Sequence, residues 1–291
     1  MAGAGVPEYA TTLAAYHAAF AAELRAMVES LPIAEGDHVL DMACGDGTYV
    51  GWLAGRVGPD GLVVGVDAAP SYLDLAREAP RPDDVLDRLG FVAATLERLP
   101  FEGGTFDLAW CAQSLFSLPE PVGAVQALAR VVRPGGVVAV LEDDTLHQVL
   151  LPWPVELELA VRQAELLGFA EESKRPRKFY VGRRLRGVFE AAGLVDCRRR
   201  TWAADRQAPL GPAERAYFAS YLTDLRDRAA PHLEPATLEA LDRLLDPDGD
   251  DPLLDRPDLM VTTISHVMLG RRPGDDPPRR AGTTRRAAAP R

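Results

Sequence analysis

Residues 39–48, Val-Leu-Asp-Met-Ala-Cys-Gly-Asp-Gly-Thr, force a buried strand to turn abruptly into a helix. A short apolar run ends at Asp41, and Gly45 and Gly47 then break it before a helical pattern begins. Glycine lets backbone approach a ligand without the steric cost of a Cβ. A dinucleotide loop reads G-x-G-x-x-G, with a pyrophosphate on the helix N-terminus. Here Val50 occupies the slot of the third glycine and the acidic Asp41 precedes the loop. A carboxylate at that point suits a cationic ligand better than a diphosphate.

The rest of the chain follows the same rhythm. Apolar runs near 38–42, 62–66, 90–94, 106–111 and 136–141 read as strands, and patterns near 48–57, 70–79 and 121–132 read as helices. Strands that alternate with helices predict a parallel sheet with helices on both faces. After Glu142 the rhythm changes. Residues 143–182 carry Pro152-Trp153-Pro154, a helical stretch 155–168 and a basic loop 173–178, and read as an insertion. A helix at 183–192 and strands at 194–202 and 259–269 complete the alternation around a helical block, 212–228 and 235–245. Apolar positions Leu13, Tyr16, Phe20, Leu24, Met27 and Leu31 make 7–31 one or two amphipathic helices. Beyond Arg271 the chain is Pro, Gly, Arg and Ala without periodicity, which predicts a disordered tail over 271–291.

Composition narrows the function classes. The net charge of −11 argues against general nucleic-acid binding. Cys44, Cys111 and Cys197 lie far apart and suit neither a disulfide framework nor a zinc site, so no metal is expected. No apolar run reaches the length of a membrane span, so a soluble cytoplasmic protein is expected. Lys174 and Lys178 are the only lysines, and with the abundant Ala, Gly and Pro this points to a GC-rich, actinobacterial source.

Asp67 ends the second strand, 20 residues after Gly47, where a carboxylate can accept hydrogen bonds from both hydroxyls of a ribose. It also precedes a helix, and an N-cap is the alternative. Ala94-Thr95-Leu96-Glu97-Arg98-Leu99-Pro100-Phe101 follows the third strand. Phe106-Asp107 opens the fourth, and Arg133-Pro134-Gly135-Gly136 introduces the fifth. Over residues 35–142 these motifs resemble class I S-adenosylmethionine-dependent methyltransferases, and specifically the ubiquinone/menaquinone methyltransferase-like small-molecule branch.

The resemblance implies a doubly wound α/β fold. Its seven strands run in the order 3-2-1-4-5-7-6, the last antiparallel, with helical lids. Residues 1–36 would supply lid helices, 37–142 the cofactor-binding core, 143–182 an acceptor lid, and 183–270 the rest of the core with a helical insertion at 205–255. S-adenosylmethionine would be the cofactor and S-adenosylhomocysteine the product, held by Asp41, Ala43, Gly45, Gly47, Asp67, Ala68, Thr95, Leu96, Cys111 and Gln113. The family places an Asp on the adenine where this chain has Thr95, a weaker acceptor. Leu115-Phe116-Ser117-Leu118 stands where relatives often read Leu-His-His-Leu.

An activated methyl needs positioning and dehydration more than chemistry from the protein, although an alcohol or phenol benefits from a base. The candidates lie just past the fifth strand: His147, with Glu142 or Asp143 to orient it. The alternative has Asp143 and Asp144 capping a helix and His147 packing in a lid. Trp153 and Tyr180 either shape an aromatic pocket or fill the core. The expected partner is a small or medium organic acceptor, plausible in secondary metabolism, with monomer and homodimer both open. Two other classes remain: a methyltransferase fold with a non-methylating role, such as a cyclase or ligand-binding module, and an NAD-dependent oxidoreductase, against which the missing third glycine weighs.

Overall fold

The computed structural model describes residues 10–274, apart from Pro119, Lys174 and Arg175. Residues 7–9 of the first helical pattern, part of the basic loop and 275–291 of the expected tail lie outside the described residues.

The strands are β1 (His38–Met42), β2 (Leu62–Asp67), β3 (Leu89–Ala93), β4 (Phe106–Ala112), β5 (Val132–Glu142), β6 (Val149–Leu150), β7 (Val195–Gln207) and β8 (Met260–Arg271). The helices are α1 (Ala10–Ala19), α2 (Ala21–Glu29), α3 (Thr48–Val57), α4 (Pro70–Glu78), α5 (Asp83–Leu86), α6 (Pro121–Val131), α7 (Val155–Glu172), α8 (Leu185–Ala191), α9 (Pro212–Ala229) and α10 (Pro235–Leu245).

They build one sheet in the order β3-β2-β1-β4-β5-β8, with β7 along the outer side of β8. The first five strands are parallel, and β8 runs antiparallel to both β5 and β7. This is the expected seven-strand order with one addition. The two-residue β6 pairs with Thr262 and Thr263 of β8, just past the point where β5 leaves that strand.

Both faces of the central strands are buried, which is why their sequence reads as near-continuous apolar runs. Period-two alternation still sorts the side chains. Val39, Leu108, Trp110, Ala139 and Leu141 join the layer that holds α1–α3, α7 and α9. Leu40, Ala109, Cys111, Val138 and Val140 join the layer under α6 and α8.

The insertions bring the lids together. α1 packs on α9, and α9 on α7. Arg206 near the end of β7 pins the first lid: it pairs with Glu23 at 2.9 Å, donates to the Ala19 carbonyl at 2.7 Å and stacks over Phe20. Residues 176–184 form a short 3₁₀ segment rather than a plain loop. The expected boundary at Arg271 moves outward. Arg271 pairs with Val137 in the sheet, and Arg272 donates to the carbonyls of Ala129 and Arg130, which caps the end of α6. Among the described residues, no helix is long and apolar enough to cross a membrane.

Leu128 sits fully buried on the inner face of α6, away from the strand tips. Leu128→Ala should cost about 2–5 kcal/mol through the cavity it leaves. A shift of the urea midpoint without change in ligand binding is the expected result.

Candidate functional site

Open α/β sheets place ligands outside the carboxyl ends of their strands. A cavity of about 730 Å³ opens there, within the range of small-molecule sites. Its walls come from the ends of β1, β2, β4 and β5, the segment after β3, and the lid helices α1, α7 and α9.

The loop after β1 is shaped by three left-handed residues, Ala43 (φ 59°), Gly45 (φ 51°) and Gly47 (φ 76°). Gly47 starts α3, and a Cβ there would meet Arg81 Nη2 at 2.5 Å and Ala76 Cβ at 2.9 Å. Gly45 turns its amide onto Asp67 Oδ2 at 3.0 Å, while Ala69 donates to Asp67 Oδ1 at 2.9 Å. Asp67 does not cap α4, whose N-cap is Ala69; its carboxylate closes the turn just before the helix and faces the cavity.

Of the residues assigned to the cofactor, Ala43, Gly45, Asp67, Ala68, Thr95, Leu96, Cys111 and Gln113 line the cavity. Asp41 and Gly47 do not. Asp41 is 1% exposed, lies between Gly65 and Trp110 on the flanking strands, and has an Oδ2 with no hydrogen-bond partner. Burial first, then the charges of Asp67 and Asp46, push its carboxyl well above the usual carboxylate range. Its place is beneath the glycine loop, as support for it.

Gln113 is the second strained non-glycine in the wall (φ 48°), and its amide donates to Asp143 Oδ2 at 2.9 Å. Strained backbone of this kind costs about 1–3 kcal/mol per residue and gathers at functional sites. Asp143 and Glu142 both line the cavity. Burial raises the Asp143 carboxyl, and the Gln113 hydrogen bond holds it back. Glu142 is 2% exposed, and Oε1 accepts the amides of Leu115 at 2.5 Å and Phe116 at 3.3 Å. Burial, aided by Asp143, pushes its pKa up to about 8. At neutral pH Glu142 is therefore mainly a neutral carboxyl that anchors the 115–117 turn.

His147 requires a correction. It is exposed and absent from the cavity wall, so neither Glu142 nor Asp143 orients it there. Its amide closes a turn on the Asp144 carbonyl at 2.8 Å, and Asp144 in the same turn pairs with Arg183. Among the described residues the chain runs from this turn into β6, so Asp143 and Asp144 have no helix to cap.

Trp153 is buried in the core beside Arg162, and Tyr180 stacks with Arg183; neither lines the cavity. The aromatic wall comes instead from Phe116, Phe169, Phe179, Tyr217 and Tyr221, with Tyr16 and His17 from α1. On a helix such residues are indistinguishable from core positions by spacing, so only the lid packing reveals them. His17 is a clear example: it is 8% exposed and its Nδ1 lies 3.5 Å from Asp46 Oδ2 in the glycine loop.

Among the described residues, the wall carries Asp67, Glu142, Asp143, Glu165 and Asp224 against a single arginine, Arg228. That balance and the ribose-ready Asp67 fit S-adenosylmethionine, whose sulfonium and ammonium are cationic. Asp67 would hold the ribose hydroxyls, the glycine loop the amino-acid end, and Thr95 with the Leu96 backbone the adenine.

Asp67→Ala should weaken S-adenosylmethionine binding by about 1–3 kcal/mol in a folded protein, as read by calorimetry. Glu142 generates a second expectation. Its folded pKa near 8 lies above the ordinary 4.5, so the fold holds a proton that the unfolded chain releases. The stability this contributes is complete below about pH 4.5 and is lost as pH rises to about 8. Glu142→Gln keeps the oxygen that accepts both amides and removes the titration. Between pH 5 and pH 9 the urea midpoint should therefore fall less for the variant than for the wild type; parallel losses would show that Glu142 does not titrate in this way.

Comparison with known proteins agrees with this geometry. The pattern of a family described as a methyltransferase domain matches residues 40–140. The chain is 32% identical over 138 residues to 27-O-demethylrifamycin SV methyltransferase of Amycolatopsis mediterranei, covering 47% of this chain and 48% of that protein. It is 29% identical over 173 residues to demethylmenaquinone methyltransferase of Lactobacillus johnsonii, covering 57% of this chain and 71% of that one. For several curated relatives the match spans less than half of the relative's own length. The YcgJ protein of Bacillus subtilis shares the fold, with a TM-score of 0.54 at 18% identity over 86% of this chain and 97% of that one. With its spaced cofactor motifs and these similarities, residues 40–140 carry the pattern of a methyltransferase domain, on a fold shared with the YcgJ protein.

Proposed function

We propose that the protein transfers a methyl group from S-adenosylmethionine to a hydroxyl of a neutral, largely apolar organic molecule of secondary metabolism. The observation that carries this reading is the composition of the cavity. One end is formed by the cofactor motifs, and the other by aromatic lid residues, with carboxylates rather than a basic cluster between them. The excess of negative charge disfavours an anionic acceptor. The relative that is named for demethylrifamycin supports an oxygen acceptor of this kind.

Bound S-adenosylmethionine supplies an electrophilic methyl group. The chain's own residues position the acceptor and exclude water, through α1, α7 and α9 over the strand tips. Asp143 takes the hydroxyl proton. Burial makes it a stronger base than an ordinary carboxylate, and Gln113 orients it through Oδ2. Glu142, neutral at pH 7, fixes the turn that carries Phe116.

The reading is tested by measuring S-adenosylhomocysteine release with neutral alcohols and phenols of polyketide type. Asp143→Asn should lower turnover by about 10²–10⁴-fold and spare S-adenosylmethionine affinity. Cofactor binding without any S-adenosylhomocysteine formed across such acceptors would move the chain to the non-methylating class.

A further inference from the structure

The far end of the cavity contains a buried polar device that methyl transfer does not require. Arg162 on α7 is 5% exposed, and its Nη1 donates to Tyr221 Oη at 3.0 Å and to Glu165 Oε2 at 3.2 Å. Its Nη2 donates to the Val149 carbonyl at 3.2 Å. Glu165, 2% exposed, also faces Arg228 at 3.5 Å. A buried ion pair of this kind is commonly no more stabilising than apolar side chains of the same volume. Stability alone therefore gives little reason for it to sit under a lid.

Its effect on Tyr221 gives a better reason. A phenol has one proton to donate and two lone pairs to accept with. Arg162 occupies one lone pair of the hydroxyl and, as a guanidinium, can only donate to it, so the phenol's own proton is not taken up by this partner. Tyr221, Gln148 and Glu165 all belong to the cavity wall, and Phe169 and Phe179 stack beside them with ring centroids 3.9 Å apart.

We propose that Tyr221, oriented by Arg162, is a specificity-determining hydrogen-bond donor for a neutral oxygen, a carbonyl above all, on the non-reacting part of an acceptor whose apolar body lies against Phe169 and Phe179. The ion pair keeps the phenol oxygen as an acceptor from arginine, so that its proton points to the ligand. Glu165 and Asp224 offset Arg162 and Arg228 here, so this end has no spare positive charge for a carboxylate or phosphate. This inference rests on the methyl-transfer reading only for the meaning of the subsite, since the device itself binds and does not react.

The test is a ligand-observed NMR titration with 2-acetylnaphthalene and 2-ethylnaphthalene, which share an aromatic surface and differ in the carbonyl. It is run on the full chain with and without saturating S-adenosylhomocysteine, whose own binding is measured first. The ketone should bind about tenfold more tightly than the hydrocarbon, the worth of one well-made buried hydrogen bond. Tyr221→Phe should abolish that preference and leave the hydrocarbon's affinity unchanged, whereas Phe169→Ala should weaken both probes alike and keep the preference. Equal binding of the two probes to the wild type, a preference that survives Tyr221→Phe, or no saturable binding of either would overturn the proposal. Loss of S-adenosylhomocysteine binding with the ketone preference intact would instead count against the methyl-transfer reading and leave the subsite standing. If Tyr221→Phe does not fold, the wild-type preference and the Phe169→Ala pair still decide.

Discussion

The carboxylate of Asp67 ties together the tips of two adjacent parallel strands. It accepts the Gly45 amide from the loop after β1 and the Ala69 amide at the start of α4. Parallel strands end in loops with unpaired backbone donors, and a buried donor left without a partner costs about 1–3 kcal/mol. One side chain answers two of these needs and still presents lone pairs to the cavity. The left-handed turn at Ala43 and Gly45, the seating of α3 and the floor of the cofactor end all depend on it.

A second layer of support lies below. Asp41, the acidic residue that introduces the glycine loop, sits on the sheet between Gly65 and Trp110 and is hidden from the cavity. Gly65 suits the close approach, since a Cβ there would press on Cys44 Sγ and Val50 Cγ2 at 3.0 Å. The loop therefore rests closely on the sheet.

The lids add polar pins to the packing of the core. The parallel strands are held by a continuous ladder and two apolar layers. The lid helices share one of these layers and are also pinned by arginines: Arg206 of β7 holds α2, and Arg162 and Arg228 join α7 and α9. Gly168 permits that last contact, because a Cβ there would strike the Arg228 backbone carbonyl at 2.6 Å.

The alternation of strands and helices, the turn at Gly45 and Gly47 and the place of Asp67 at a strand tip were legible in the residues, because each depends on local spacing: strand, turn, helix; the strand order and the place of Gln113 in the cavity wall came with the resemblance. Period-two and helical patterns report which face is buried, and left-handed turns demand glycine at particular positions. Other features were beyond that kind of reading. His147 has the right chemistry close to β5, yet it sits exposed in a turn that its own amide closes on the Asp144 carbonyl. Phe169, Phe179, Tyr217 and Tyr221 look like core residues in their own segments and become a pocket wall only where α7 meets α9. The pKa of Glu142 follows from enclosure first, and only then from its neighbour in the chain, Asp143. Local sequence specifies backbone conformation and the grip on the methyl donor. Which side chains face the acceptor follows from how distant segments close over the sheet, and burial and charge pairing across that closure exist only once the chain has folded.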